Sequence, residues 1–236
     1  MSAETGSYDE RIEYAINHTE VLRRPRQTLS TFGTTNIYYY LLTEPSYKEL
    51  AGGEEETVVR EGRVLSERPR VVTPAYLFNV EGFSEHARRY LEMTVERYGP
   101  HAPGLFYGYK NEPREMNILS SGMDSVVHKL DEMIDKEGNP LSAIIKGVDE
   151  LWDVSLLKFI FDITRESLGS NVLEMGRRGL LDTDSSGIPR DARLNIERLF
   201  MLVKDGELDP AALKTELDRW GLFEEYEDRF LGLFRK

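Results

Sequence analysis

The distribution of tyrosine indicates that the two halves of this chain fold on different principles. Eleven of the 12 tyrosines lie within the first 109 residues, and Tyr226 is the exception. Tyrosine favours half-buried pleated surfaces, and its hydroxyl needs a polar partner or water. The first half is therefore predicted to carry most of the amphipathic aromatic surface of the protein.

Composition indicates a soluble globular protein, with 40% hydrophobic and 31% charged residues. No apolar run approaches the roughly 18 residues of a membrane span. The first residues lack the basic and apolar regions of a secretory signal, so we expect a cytoplasmic protein without a membrane partner. The absence of cysteine excludes disulfides, thiolate metal sites and a cysteine nucleophile. A net charge of -12 argues against binding to nucleic acid or anionic membranes.

Residue patterns in the first half predict an antiparallel sheet with one or two helices packed on it. Helices are predicted from Ser7 to before Pro25, and from Ser84 to Tyr98. Strand signals, which are β-branched and aromatic runs bounded by Gly, Pro or Asn, occur at five places: Thr28–Thr43, a hairpin over Thr57–Leu65 turning at Glu61-Gly62, Arg70–Leu77, and a hairpin formed by Leu105–Tyr109 and Glu115–Ser120 around Asn111-Glu112-Pro113.

The second half reads as helical to its end, with helices near 123–137, 141–168, 170–181, 189–204, 210–220 and 223–235. The helix at 141–168 is apolar almost all round, so Trp152, Phe159 and Phe161 are predicted to lie in the core of the helical half. The fold class is therefore α+β, with an N-terminal antiparallel sheet followed by an all-helical half. Because the joint is short, residues 1–121 and 122–236 are expected to pack together as one unit.

One acidic cluster resembles a metal site, since Asp124, His128, Asp131, Glu132 and Asp135 recur at helical spacing. At about 100° per residue these groups point away from the apolar residues of the same helix. Metal sites in helical bundles need side chains that project inward. We therefore predict a solvated charged face and no metal site.

Residues Asp182–Gly187 match the first half of an EF-hand loop, with oxygen ligands at alternate positions followed by glycine. The second half of the pattern fails, because Pro189 and Arg193 stand where an apolar residue and the bidentate Glu belong. A polar turn between two helices explains the same residues. No calcium and no other cofactor is predicted.

No catalytic constellation is evident from the motifs, because GxxxxGK[ST], GxGxxG and GxSxG are all absent from the sequence. His101, in a Gly- and Pro-rich loop, is the best single candidate for acid–base work. The catalytic residues are left unassigned, and the balance leans against an enzyme. The alternative is an enzyme whose carboxylates converge in a cleft between the two halves.

The favoured function is that of an interaction or regulatory protein with a protein partner, binding through the Tyr- and Arg-bearing sheet around Arg24, Arg26, Tyr38 and Tyr40. Tyr and Arg anchor interfaces because each combines a large contact area with a directed polar group. Tyr38 and Tyr40 share one face of a strand. A second alternative is a single-stranded nucleic-acid binder, which the acidity of the chain disfavours.

Overall fold

The computed structural model describes residues 8–47, 55–79, 92–93 and 95–234, and it confirms the α+β class. The described helices are α1 (Tyr8–Asn17), α2 (Pro74–Phe78), α3 (Met123–Glu137), α4 (Trp152–Arg177), α5 (Arg190–Lys204), α6 (Pro210–Trp220) and α7 (Phe223–Gly232). The described strands are β1 (Glu20–Arg23), β2 (Thr35–Thr43), β3 (Thr57–Ser66), β4 (Arg70–Val72), β5 (Gly104–Phe106), β6 (Tyr109–Leu119) and β7 (Ser142–Lys146).

The chain divides into two compact units. The first comprises Met1–Arg68 and Gly108–Asn171, and the second comprises Pro69–Tyr107 and Val172–Lys236. That residues 1–121 and 122–236 pack together as one unit stays a prediction.

The first unit contains a five-stranded sheet in the order β1-β7-β2-β3-β6. β2 and β7 are parallel, and the other neighbouring strands are antiparallel. The sheet is therefore mixed, and the prediction of a wholly antiparallel sheet confined to the first half is wrong. β7 was assigned to the beginning of a helix at 141–168. Its residues 142–145 are instead buried between β1 and β2, where a short continuous apolar run forms a strand.

The two faces of this sheet are covered by different helices. On one face, Val126 and Ile134 of α3 pack on Leu42, Val59 and Ile144. The opposite face carries Arg60, whose guanidinium carbon lies 5.6 Å from the ring centre of Trp152 in α4.

β3 runs without interruption through the point where a turn was predicted. Tyr39 of β2 lies opposite Gly62, and the space beside Gly62 is filled by the Tyr39 phenol. A Cβ at this glycine would lie 2.3 Å from the Tyr39 hydroxyl oxygen. The lack of a side chain at Gly62 therefore leaves room for the Tyr39 ring. The hairpin predicted at Glu61-Gly62 is wrong.

The hairpin predicted around Asn111-Glu112-Pro113 is also wrong, because β6 continues through Pro113 as one edge strand of 11 residues. Proline cannot donate to the ladder of a sheet, but an edge strand tolerates it where its nitrogen faces solvent. Pro113 lies opposite Gly62 at an irregularity in the register.

Further boundaries differ from the predictions, and the helices predicted at 141–168 and 170–181 are joined in the single helix α4. The first helix ends at Asn17 and is followed by β1, whereas it was predicted to reach Pro25. The strand predicted over Arg70–Leu77 ends at Val72, because Thr73 accepts a hydrogen bond from the Tyr76 N–H and begins α2. The helix predicted over Ser84–Tyr98 lies mostly outside the described residues.

The second unit packs α5, α6 and α7 around Ile196, Phe200, Leu213, Leu217 and Phe230. The carboxylate of Glu216 is buried beside this core and is satisfied there. It accepts hydrogen bonds from the Tyr76 hydroxyl at 3.0 Å and the Trp220 indole N–H at 3.2 Å. Among the described residues, no helix is both long enough and apolar enough to cross a membrane.

The core assignment of the three aromatic residues in α4 is correct for one of them. Phe159 is 2% exposed, Trp152 is half-buried, and Phe161 is 63% exposed. Phe161 follows Phe159 by two residues, which places it about 200° around the helix. The prediction for Phe161 is wrong because only one side of the helix meets the sheet.

We predict that Gly62→Ala destabilises the protein by about 1–3 kcal/mol, since the added methyl group overlaps the buried Tyr39 ring. Gly169→Ala in α4 is the matched control, because a Cβ there meets no atom within 4 Å other than those of the adjacent helix backbone. Alanine favours the helix by about 0.5–1 kcal/mol over glycine, so this variant should be as stable or more stable. Urea denaturation measures both, and equal stability of the two variants would contradict the packing explanation.

Candidate binding face on the central sheet

The α3 side of the sheet has an uncovered strip that carries both predicted tyrosines. Tyr38 and Tyr40 are half-buried on β2, opposite Arg63 and Glu61 of β3. The next strand is β6, whose residues 113–119 are all exposed. We call this strip the Tyr–Glu face, and it consists of Tyr38, Tyr40, Glu61, Arg63, Glu112, Arg114 and Glu115.

A β-bulge in β6 concentrates charged side chains on the Tyr–Glu face. Glu115 pairs with Glu61 and Pro113 with Gly62, so Arg114 has no partner across the strand. Such an insertion breaks the strict alternation of side chains and re-aims them. The guanidinium carbon of Arg114 lies 5.4 Å from the ring centre of Tyr38. This distance is within the range of a cation–π interaction.

The carboxylates of the face have different environments. Hydrogen bonds from Lys110 and Arg63 lower the pKa of Glu112 to about 2. Burial raises the pKa of Glu61, and the negative charges of Glu115 and Glu137 raise it further. Glu112 is therefore ionised and its charge is balanced by Lys110 and Arg63, whereas the surroundings of Glu61 oppose its ionisation.

The two arginines predicted for the binding surface are engaged elsewhere. Arg24 forms an ion pair with Glu166 of α4. Arg26 forms one with Asp135 of α3, with 2.8 Å between Nη2 and Oδ1. The Arg26 N–H bonds to the Pro140 carbonyl, next to the carbonyl of residue 141 that accepts from Tyr38. Arg26 thus lies at the Tyr38 end of the sheet, while Arg24 is turned toward α4.

The acidic side of α3 is a solvated face, as predicted. His128 and Glu132 form an exposed pair, and Asp131 and Asp135 are bound by Arg23. Among the described residues, no group of three or more His, Asp or Glu side chains is arranged to hold a metal ion.

The Asp182–Gly187 segment forms the predicted turn. Asp184 accepts hydrogen bonds from the N–H groups of Ser186 and Ile188, and Arg193 binds its other oxygen at 2.8 Å. His101 lies against this turn, because a Cβ at Gly187 would be 2.1 Å from its Nδ1 atom. Among the described residues, no hydrogen bond or ion pair joins His101 to a carboxylate, which gives it no partner for acid–base work.

A cavity lies at the end of the sheet where the parallel strands β2 and β7 finish. It has a volume of about 410 Å³ and is lined by Glu44, Glu55, Glu56, Asp124 and Lys146, with the beginning of α3. No side chain caps this helix, and the Glu55 carboxylate lies against Gly122 at its N-terminus. Carboxylates are favourable near a helix N-terminus, so Glu55 has a structural role there.

Comparison with known proteins found no family model, no curated protein and no solved structure that this chain matches. The function must therefore be argued from the geometry of the chain itself.

Sequence reasoning found Tyr38 and Tyr40 but missed Glu61, Arg63, Arg114 and Glu115 as their neighbours. The available signal was the alternation in Thr57–Ser66, which places Val59, Glu61 and Arg63 on one face of an unbroken strand. The Glu-Gly dipeptide obscured it, because the same two residues are typical of a turn.

We predict that Glu61→Gln raises the free energy of unfolding at pH 7 and leaves it nearly unchanged at pH 3.5. The pKa of Glu61 is raised in the folded protein above its ordinary value of 4.5. Stability is therefore lost as pH rises through the window above 4.5, and a neutral side chain removes that loss. Urea denaturation at both pH values measures the effect, and a variant less stable than wild type at pH 7 contradicts it.

Proposed function

We propose that this protein is an interaction protein that binds a partner through the Tyr–Glu face. The observation that carries the proposal is the juxtaposition of two half-exposed tyrosines with Arg114 on a strip of sheet beside α3. Tyrosine offers a large contact area at a low cost in conformational entropy, and the guanidinium of Arg114 beside Tyr38 adds a directed polar group, so both are effective anchors. Tyr38 and Tyr40 are retained from the sequence-based hypothesis, and Arg114 and Arg63 replace Arg24 and Arg26 as the nearest arginines.

The charges of the face argue against the nucleic-acid alternative. Arg63 and Arg114 are outnumbered by Glu61, Glu112 and Glu115. A surface for single-stranded nucleic acid needs a positive groove in addition to aromatic rings.

Peptide ligands can be selected on the wild-type protein from a displayed library. We predict that Tyr38→Ala and Tyr40→Ala each weaken the binding of these peptides by about 1–3 kcal/mol. The truncation removes the large contact area of an interface anchor. Titration calorimetry of the selected peptides measures the change.

Tyr14→Ala is the control for these variants, because Tyr14 is 53% exposed on α1, outside the Tyr–Glu face. It should bind as wild type does. Equal affinity of all three variants for every selected peptide would exclude the Tyr–Glu face as the binding site.

A second candidate function is catalysis or small-molecule binding in the cavity beside Lys146. It is supported by the volume of about 410 Å³ and by four carboxylates that line the same space as an amine. The carboxyl ends of parallel strands are where open α/β sheets bind ligands. Both sequence halves contribute to this cavity, as the enzyme alternative requires.

A metabolite-library thermal-shift screen tests this second candidate. Compounds that raise the melting temperature of the wild type should lose their effect with Lys146→Ala and Asp124→Asn. Hits that stabilise both variants as much as the wild type would bind elsewhere and would count against the cavity.

A further inference from the structure

The Tyr–Glu face has an excess of negative charge that Arg114 compensates only in part. Glu61 and Glu115 lie directly opposite each other on neighbouring antiparallel strands. Like charges in that position destabilise a sheet. Glu137 of α3 adds a third negative charge, which acts on both Glu61 and Tyr40.

Several acidic groups elsewhere in the described residues are paired with cations at close range. Arg23 binds Asp131 and Asp135, and Arg60 binds Asp149. By contrast, no ion pair in the described part of the chain joins Glu61, Glu115 or Glu137 to a cation. Arg114 is near, but its guanidinium is placed over the Tyr38 ring.

The aromatic neighbour of these carboxylates is suited to the same ligand chemistry. Tyr40 lies opposite Glu61 in the register, so a cation brought to Glu61 comes within reach of the Tyr40 side chain. A cation gains from an aromatic ring face and from charge-assisted hydrogen bonds to carboxylates. Lysine and arginine can use both, and their aliphatic stems can cover the half-exposed tyrosines.

We propose that the partner of the Tyr–Glu face is a basic segment of a protein, with a lysine or arginine side chain seated between Tyr40, Glu61 and Glu115. This inference rests on the proposed function and names the class of partner. Charge complementarity favours such a partner, because an incoming cation relieves the repulsion between Glu61 and Glu115. The bulge at Arg114 contributes by placing consecutive charged residues of β6 where an approaching segment meets them.

The test uses the full chain and three fluorescent probes, measured by fluorescence anisotropy. The first is a peptide in which arginine alternates with glycine and serine, the second has glutamate in place of arginine, and the third is a single-stranded oligonucleotide. The arginine peptide is expected to bind, and the other two are not. Binding of the oligonucleotide with no binding of the arginine peptide would overturn the proposal.

The double variant Glu61→Gln/Glu115→Gln is expected to weaken binding of the arginine peptide by about tenfold or more. Glutamine has nearly the same shape as glutamate but carries no charge. The control is Glu13→Gln/Glu132→Gln, which removes the same charge from two exposed carboxylates, on α1 and α3, that are not among the residues of the face. Because the chain has a net charge of -12, this control separates a local site from general attraction. Equal weakening in the two double variants would overturn the proposal.

The same measurements distinguish failure of this inference from failure of the proposed function. If library-selected peptides are sensitive to Tyr40→Ala but contain no basic residues and do not respond to Glu61→Gln/Glu115→Gln, the face binds a partner of another class. In that case the inference is wrong and the proposed function stands. If no ligand responds to the tyrosine or glutamate variants, both are wrong.

Discussion

The contact between the Tyr39 ring and Gly62 determines how charged groups are distributed on the central sheet. The ring occupies the space that any larger residue at position 62 would need, and its hydroxyl donates to the Asn111 side chain on β6 at 3.0 Å. One phenol therefore ties together β2, β3 and β6. β3 continues as a strand through Gly62, beside the Tyr39 ring. Glu61 and Arg63, on either side of that glycine, therefore both project from the other face of the sheet, beside Tyr40 and Tyr38.

Carboxylates at two places on the sheet have opposite environments. Asp149, beyond the end of β7, accepts hydrogen bonds from Thr43 at 2.7 Å and Arg60 at 2.8 Å. Burial raises its pKa, but these bonds outweigh that effect and bring the pKa below its ordinary value. A satisfied network of this kind makes the region rigid. At Glu61 the balance is reversed, since burial and like charges act together to raise the pKa. Natural sequences break rules of local stability mainly at functional positions, which is the physical basis for proposing that this face binds a partner.

Sequence reasoning succeeded where the determinants are local. α3 and α6 were predicted with the bounds they have, because amphipathic periodicity and, for α6, the Asp209 cap with Pro210 act over neighbouring residues. The shared face of Tyr38 and Tyr40 follows from the two-residue period of a strand. Glu61 and Arg63 could have been predicted from the alternation in β3, but Arg114 and Glu115 could not, since strand register and the bulge bring them there. The same is true of Gly62, which looks like a turn residue until Tyr39 is placed beside it.

Pro113 has a consequence for the behaviour of this protein in concentrated solution. An edge strand as long as β6, with exposed Met116 and Ile118, is a template on which other chains can assemble into extended sheets. A proline within it removes one donor from the open ladder, and the adjacent bulge twists the strand away from a flat geometry. Together they interrupt the regular row of backbone hydrogen-bonding groups that fibril growth requires. The uncovered sheet surface is therefore protected against edge-to-edge aggregation.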